Sequence, residues 1–244
     1  MLEMDIKSMN QAFESVVQTL TLSLQASSAA QSEQVSKVVE ALRQNIQIML
    51  RLDSDVENNK THGLTAEEVS EIADHALTLL EEVAANFASR GMQDEMMSLH
   101  QMSLPVVSWL RRHSGTLKKL DIVVNAIASY ANTIRDTQQL EVLSALIEKV
   151  VEITEASIKQ DLEASNPMRP WRVLNLNWGI VATRSHNAEL MEKVFEQLIK
   201  NIPADAQQFF IEGVQQMDIV GYPDHVRTVM EKYAGRVGSN SVLH

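Results

Sequence analysis

The chain has 244 residues, 32 acidic against 21 basic side chains, a formal net charge of -11 and a mean hydropathy of -0.13. It has no cysteine, which excludes disulfides, zinc–thiolate sites and thiol nucleophiles. With only 8 glycines and 5 prolines it lacks the turn chemistry of an all-β protein, and its negative charge opposes nucleic acid.

Ile6, Met9, Phe13, Val16, Val17, Leu20 and Leu24 recur at three- and four-residue steps and predict a first helix. The polar run 25–32 lets the chain reverse, and Val35, Val38, Val39, Leu42, Ile46 and Met49 predict a second. A loop follows over 58–63. Thr65 and Glu68 have the spacing of a capping box ahead of the stripe Val69, Ile72, Ala76, Leu79, Leu80, Val83 and Phe87, with Gly91 as terminator.

A fourth helix is expected over 92–113, broken or kinked at Pro105 because proline has no amide hydrogen. After Ser114-Gly115-Thr116, a fifth carries Leu120, Val123, Val124, Ile127 and Tyr130. Asp136 caps a sixth, marked by Leu140, Leu143, Leu146, Ile147, Val150 and Ile153 and ending before Asn166-Pro167. Two helical hairpins are expected over 170–201 and 203–235. The total is nine or ten helices and no segment alternates with a period of two, so the fold class is all-α, antiparallel hairpins stacked as a bundle or short solenoid.

The last two hairpins repeat weakly. Pro170 and Pro203 correspond, as do Gly179 and Gly213, and Met191, Val194, Phe195 and Leu198 recur as Val226, Val229, Met230 and Tyr233. The spacing of Gly179, Phe195 and Pro203 resembles tetratricopeptide-type repeats. The resemblance covers only the C-terminal third and departs where that pattern wants small residues, at Met191 and Leu198. It implies stacked helix pairs with a concave binding face, and it carries no ligand over. The domain reading is an acidic helical unit over 1–91, middle helices over 92–165 and helical-hairpin repeats over 166–238.

Charge is unevenly divided. Residues 1–95 hold 16 acidic and 6 basic side chains, whereas residues 96–244 hold 16 and 15. The second part therefore has room for local positive patches, and two windows without any carboxylate stand out. One, Met96 to Leu120, holds Arg111, Arg112, His113, Lys118 and Lys119; helix-end pairing accounts for its arginines, and a phosphate or acidic-partner patch is the alternative for its lysines. Met92, Met96, Met97 and Met102 in the same region are expected to fill core gaps, as is Trp109.

The other window runs from Ala164 to Ala188 and carries Arg169, Trp171, Arg172, Asn175, Trp178, Arg184 and His186. Arginine offers a planar fork to carboxylate or phosphate, and tryptophan a rigid contact face. These seven are the candidate partner- or ligand-binding residues. In one arrangement Trp171, Leu174, Trp178 and Val181 pack inward while Arg172, Asn175, Gly179 and Ala182 share an open face. In the other, the arginines pair with acidic residues of neighbouring helices.

No phosphate-binding glycine loop, nucleophile elbow or Glu-x-x-His di-iron spacing occurs, and Glu71 with His75 is the nearest approach to a metal pair. No catalytic residue, cofactor or metal is assigned, and a non-enzyme is favoured. The leading expectation is a helical interaction module that binds a protein or peptide partner. The alternative is an enzyme or binding protein that takes an anionic small molecule in an Arg/His pocket within 164–188. Exposed repeat ends predict self-association as a homodimer. The start of the chain lacks a basic-then-apolar leader and no run reaches about 18 apolar residues, so the expected location is cytoplasmic, without membrane insertion.

Overall fold

The computed structural model describes residues 5–24, 29–58, 63–162 and 165–240. Among these the chain is all-α, with twelve helical segments and no strand; the one β-type contact is an isolated parallel bridge between Leu117 and Thr154. No helix among the described residues is long and apolar enough to cross a membrane. Parts of two expected loops, 25–28 and 59–62, lie outside the described residues.

The chain forms two compact units, residues 1–129 with 150–155, and residues 130–149 with 156–244. In the first unit, α1 (Ile6–Ser23), α2 (Ala29–Glu57) and α3 (Ala66–Ala88) bury the apolar stripes that the periodicity marks. Ile6, Met9 and Phe13 meet a core that includes Leu42, Ile46, Met49, Leu80 and Phe87, all without solvent exposure. At the start of α3 the Glu68 amide donates to Thr65 Oγ1 at 3.2 Å and the Thr65 amide donates to Glu68 Oε2 at 2.8 Å. Both orphan amides are thereby satisfied, and the backbone and hydroxyl donors of Thr65 hold the Glu68 carboxyl below its usual range.

The helix expected over 92–113 is two helices, α4 (Gln93–Gln101) and α5 (Ser103–Arg112). The break falls at Met102, three residues ahead of Pro105. Proline has no amide to donate to the carbonyl of Gln101, so the ladder fails one turn upstream of the ring. Trp109 of α5 is fully buried and donates its indole N–H to the Met49 carbonyl at 3.2 Å. Two further helices, α6 (Asp121–Thr133) and α7 (Thr137–Ile153), each contribute residues to both units, and α8 (Ala156–Lys159) is a single turn.

The second unit is built on α9 (Pro170–Arg184), α10 (Ala188–Asn201), α11 (Pro203–Val220) and α12 (Asp224–Asn240). Pro170 and Pro203 start their helices at the position where a missing amide costs nothing. Gly179 and Gly213 allow close approach. A Cβ on Gly179 would lie 2.5 Å from Phe209 Cζ and 2.9 Å from Leu198 Cδ1, and one on Gly213 would lie 2.6 Å from the Met230 sulfur. The core between these helices is aromatic: the Phe195 ring meets Phe210 and Tyr233 edge-on, with centroids 5.0 and 5.3 Å away.

Candidate functional site

All seven candidate residues of the acid-free window lie in or beside α9, but the structure divides them into three groups. The first is an ion cluster at the start of the helix. Arg169 is only 3% exposed and grips Asp161 with two parallel hydrogen bonds, Nε to Oδ1 at 2.5 Å and Nη2 to Oδ2 at 2.8 Å. Its Nη2 also donates to Asp205 Oδ2 at 2.5 Å, and Nη1 to the Asn166 carbonyl at 3.0 Å. Arg172 donates from Nε to Asp205 Oδ1 at 2.6 Å and from Nη1 to the Pro167 carbonyl at 2.9 Å. The carboxylates absent from the window therefore come from outside it, from Asp161 and from Asp205 in the first turn of α11. Burial alone would push the Asp205 carboxyl up, but the Arg172 and Arg169 donors outweigh it and hold it below its ordinary range. Two arginines and two aspartates leave no net charge there.

The second group is buried. Trp171, Leu174, Trp178 and Val181 share an inward stripe, and both indole N–H groups are satisfied, Trp171 by the Asn201 carbonyl at 3.2 Å and Trp178 by Ser144 Oγ at 2.9 Å. The expected open face through Asn175, Gly179 and Ala182 is not there: Asn175 and Ala182 have no exposure, and Gly179 packs against Phe209 and Leu198. Asn175 donates to the Trp171 carbonyl and accepts from Asn201 Nδ2, each at 2.8 Å. The physical reason is that α9 is covered on both sides by helices of its own unit. Its small residues make room for them, not for a partner backbone.

The third group stands at the far end of α9. Arg184 donates from Nη1 to the Ala131 carbonyl and from Nη2 to the Ile134 carbonyl at 2.5 Å. These are carbonyls at the C-terminal end of α6, where no intrahelical donor remains and positive charge is favoured. His186 follows in a left-handed backbone conformation, φ 59°. His225 Nε2 lies 2.9 Å from the His186 carbonyl, which requires the proton on that nitrogen. The His186 ring stands edge-on to Tyr222, with centroids 5.5 Å apart.

Arg184 and His186 line an open cleft of about 270 Å³. Three helix junctions of the second unit meet in it: Arg135 before α7 with Thr137 and Leu140 in its first turn, Arg184 at the end of α9 with His186 just after it, and Val220 at the end of α11 with Gly221 to Pro223 ahead of α12. Gly221 supplies the left-handed residue that ends α11, φ 74°, and its amide donates to the Met217 carbonyl at 3.2 Å. Among the described residues no carboxylate lines the cleft. Arg135 is exposed and donates from Nη1 to the Asn132 carbonyl at 2.9 Å, with no acidic partner among the described residues. Burial pushes the Tyr222 hydroxyl up from its ordinary value, with nearby Arg184 acting in the opposite direction. The arrangement offers hydrogen-bond donors and positive charge to an oxyanion, above the apolar floor of Leu140.

The structure thus brings Arg184 and His186 together and leaves Arg169, Trp171, Arg172, Asn175 and Trp178 in packing and pairing roles. Sequence reasoning missed Arg135 and Tyr222. The available signals were slight: a cation immediately before the Asp136 cap, and an aromatic inside the Gly221-Tyr222-Pro223 turn.

In the first unit, the basic residues of the other acid-free window all have acidic neighbours. Lys118 pairs with Glu67 at 2.5 Å, Lys119 with Glu81 at 2.7 Å, Arg112 with Asp53 at 2.9 Å and Arg111 with Glu152 at 3.7 Å. His113 is buried beside Trp109, and its Nε2 lies 2.9 Å from Asp53 Oδ1. A cavity of about 420 Å³ opens next to this pair, but Asp5, Asp53 and Glu57 line it together with Lys7 and Arg112, so it presents no single sign of charge. Among the described residues no group of three or more histidine or acidic side chains could hold a metal ion. Comparison with known proteins finds no matching family model, no similar curated protein and no similar solved structure.

Proposed function

We propose that the chain is a non-catalytic helical interaction module, and that it binds a protein or peptide partner through its second unit. The observation that carries this reading is the cleft where three helix junctions converge, open to solvent, rich in donors and, among the described residues, free of carboxylate. The two consecutive helix pairs α9–α10 and α11–α12, with the Gly179, Phe195 and Pro203 spacing, support a short array of stacked helix pairs of the tetratricopeptide kind. The test is selection of peptides from a random display library on the immobilised chain, repeated on a variant whose cleft is filled by Thr137→Trp. Peptides enriched on the wild type and lost on the folded variant support the module. Absence of any enrichment, or enrichment that the variant leaves intact, overturns it.

A second reading is binding of an anionic small molecule, favoured by the convergence of Arg135, Arg184 and His186 with Tyr222. It expects a rise in melting temperature with small di- and tricarboxylates or phosphate esters, abolished by Arg135→Gln. A flat response across such a panel removes it.

A further inference from the structure

We propose that the cleft takes an acidic peptide segment, in which an aspartate or glutamate carboxylate meets Arg135 and an adjacent apolar residue lies on Ile219 and Val220. This deepens the binding-module reading and rests on it.

Charge complementarity identifies the anionic half. Arg135 uses one nitrogen for the Asn132 carbonyl, so most of its donor fork has no acceptor among the described residues. The neighbouring Asp136 does not quench it by pairing: one of its oxygens accepts the Gln139 amide at 2.8 Å and caps α7. Arg184 adds a second positive charge within the same cleft, because its carbonyl partners satisfy donors without supplying a negative charge. The His186 ring, held edge-on by Tyr222, borders the same space. A carboxylate placed there meets fixed donors on a chain that is otherwise strongly acidic.

The apolar half identifies a peptide and not a free anion. Ile219 is 76% exposed and Val220 61%, consecutive at the end of α11, with Val220 lining the cleft itself and Ile219 outside its lining. A phosphate or small carboxylate would satisfy the arginines and leave both side chains in water. A peptide that places a leucine or isoleucine next to its acid covers them, and each buried aliphatic side chain adds to the affinity.

The experiment compares two degenerate peptide pools on the immobilised full chain, one with a fixed Glu-Leu core and one with Gln-Leu. The Glu-Leu pool is expected to be retained about tenfold better at low salt, a preference that shrinks as salt rises. Arg135→Glu should abolish the preference, and Arg135→Gln should weaken it without changing the melting temperature. Val220→Asp should reduce retention of both pools. Equal retention of the two pools, or a preference that survives Arg135→Glu in a folded protein, overturns the proposal. Displacement of the Glu-Leu pool by excess inorganic phosphate, with Val220→Asp binding as well as wild type, assigns the site to a free anion and also overturns it. Random peptides that bind in the cleft without any acid would sink this inference alone; a chain that retains no peptide sinks the module reading with it.

Discussion

At the start of α9 the guanidinium groups of Arg169 and Arg172 meet the carboxylates of Asp161 and Asp205; at its end the guanidinium of Arg184 meets carbonyl oxygens of Ala131 and Ile134. Both arrangements satisfy donors, yet only the first cancels charge. Carbonyl dipoles orient an arginine and leave its field in place, so one helix carries a neutral clamp at one end and a residual positive centre at the other. Counting basic residues along the sequence cannot separate these cases. The nature of the acceptor decides whether an arginine's charge is cancelled or left in place.

The comparison breaks most visibly if Asp205 is removed. Asp205→Asn leaves buried Arg169 with one carboxylate and Arg172 with none, and should cost about 3 kcal/mol in urea unfolding followed by tryptophan fluorescence. A loss below about 1 kcal/mol would show that the clamp is no stronger than an exposed surface pair. Arg184→Met should cost about 2 kcal/mol, because two carbonyls at the end of α6 lose their donor, and should also lower peptide retention. Arg172→Ala sharpens the contrast: it should destabilise by about 1–2 kcal/mol while retention per folded molecule stays unchanged. Lost retention in Arg172→Ala at an unchanged melting temperature would place recognition at the wrong end of the helix.

Acid titration separates the two ends further. The Asp205 carboxyl is held below its ordinary value of 3.8 by Arg172 and Arg169. Its contribution to stability is therefore complete above that value and is lost as the pH falls from there through the lower folded value. The stabilities of wild type and Asp205→Asn should converge in that window. Arg184→Met should keep its offset from wild type across it, since Arg184 donates to the carbonyls of Ala131 and Ile134 and not to a carboxylate. The smallest effect is expected for exposed Arg135→Gln, within about 0.5 kcal/mol of wild type. A loss as large as that of Arg184→Met would make Arg135 a second structural cap.

The helices were legible wherever their determinants are local. Thr65 with Glu68, the stripe from Val69 to Phe87, and Pro170 and Pro203 at helix starts all act within a turn or two of the chain. The break at Met102 was displaced from Pro105 because the ladder fails at the carbonyl that proline cannot serve, not at the ring. Asn175 misled for a different reason. A polar residue opposite an apolar stripe reads as exposed, but its amide is consumed by Trp171 and Asn201 inside a helix covered on both sides. Asp161 and Asp205 lie outside the window whose arginines they neutralise, and Arg135 and Tyr222 reach the cleft from other connections. Each of these pairings is tertiary, and periodicity contains no information about them.

Asp161 has a backbone φ of 52° and also supplies both oxygens of the bidentate grip on Arg169. The left-handed conformation admits glycine freely, and asparagine and aspartate at modest strain, but penalises most other side chains. Two unrelated filters therefore act on one codon. Glycine passes the conformational filter and fails the electrostatic one, asparagine keeps the shape and half the hydrogen bonding, and glutamate keeps the charge at the wrong reach and in a poor conformation. Aspartate alone passes both. A saturation library at this position, scored by folded yield, should collapse to aspartate with asparagine a distant second. Paired with a neutral residue at position 169, the same library should open to glycine, because the electrostatic filter is gone and only the conformational one is left.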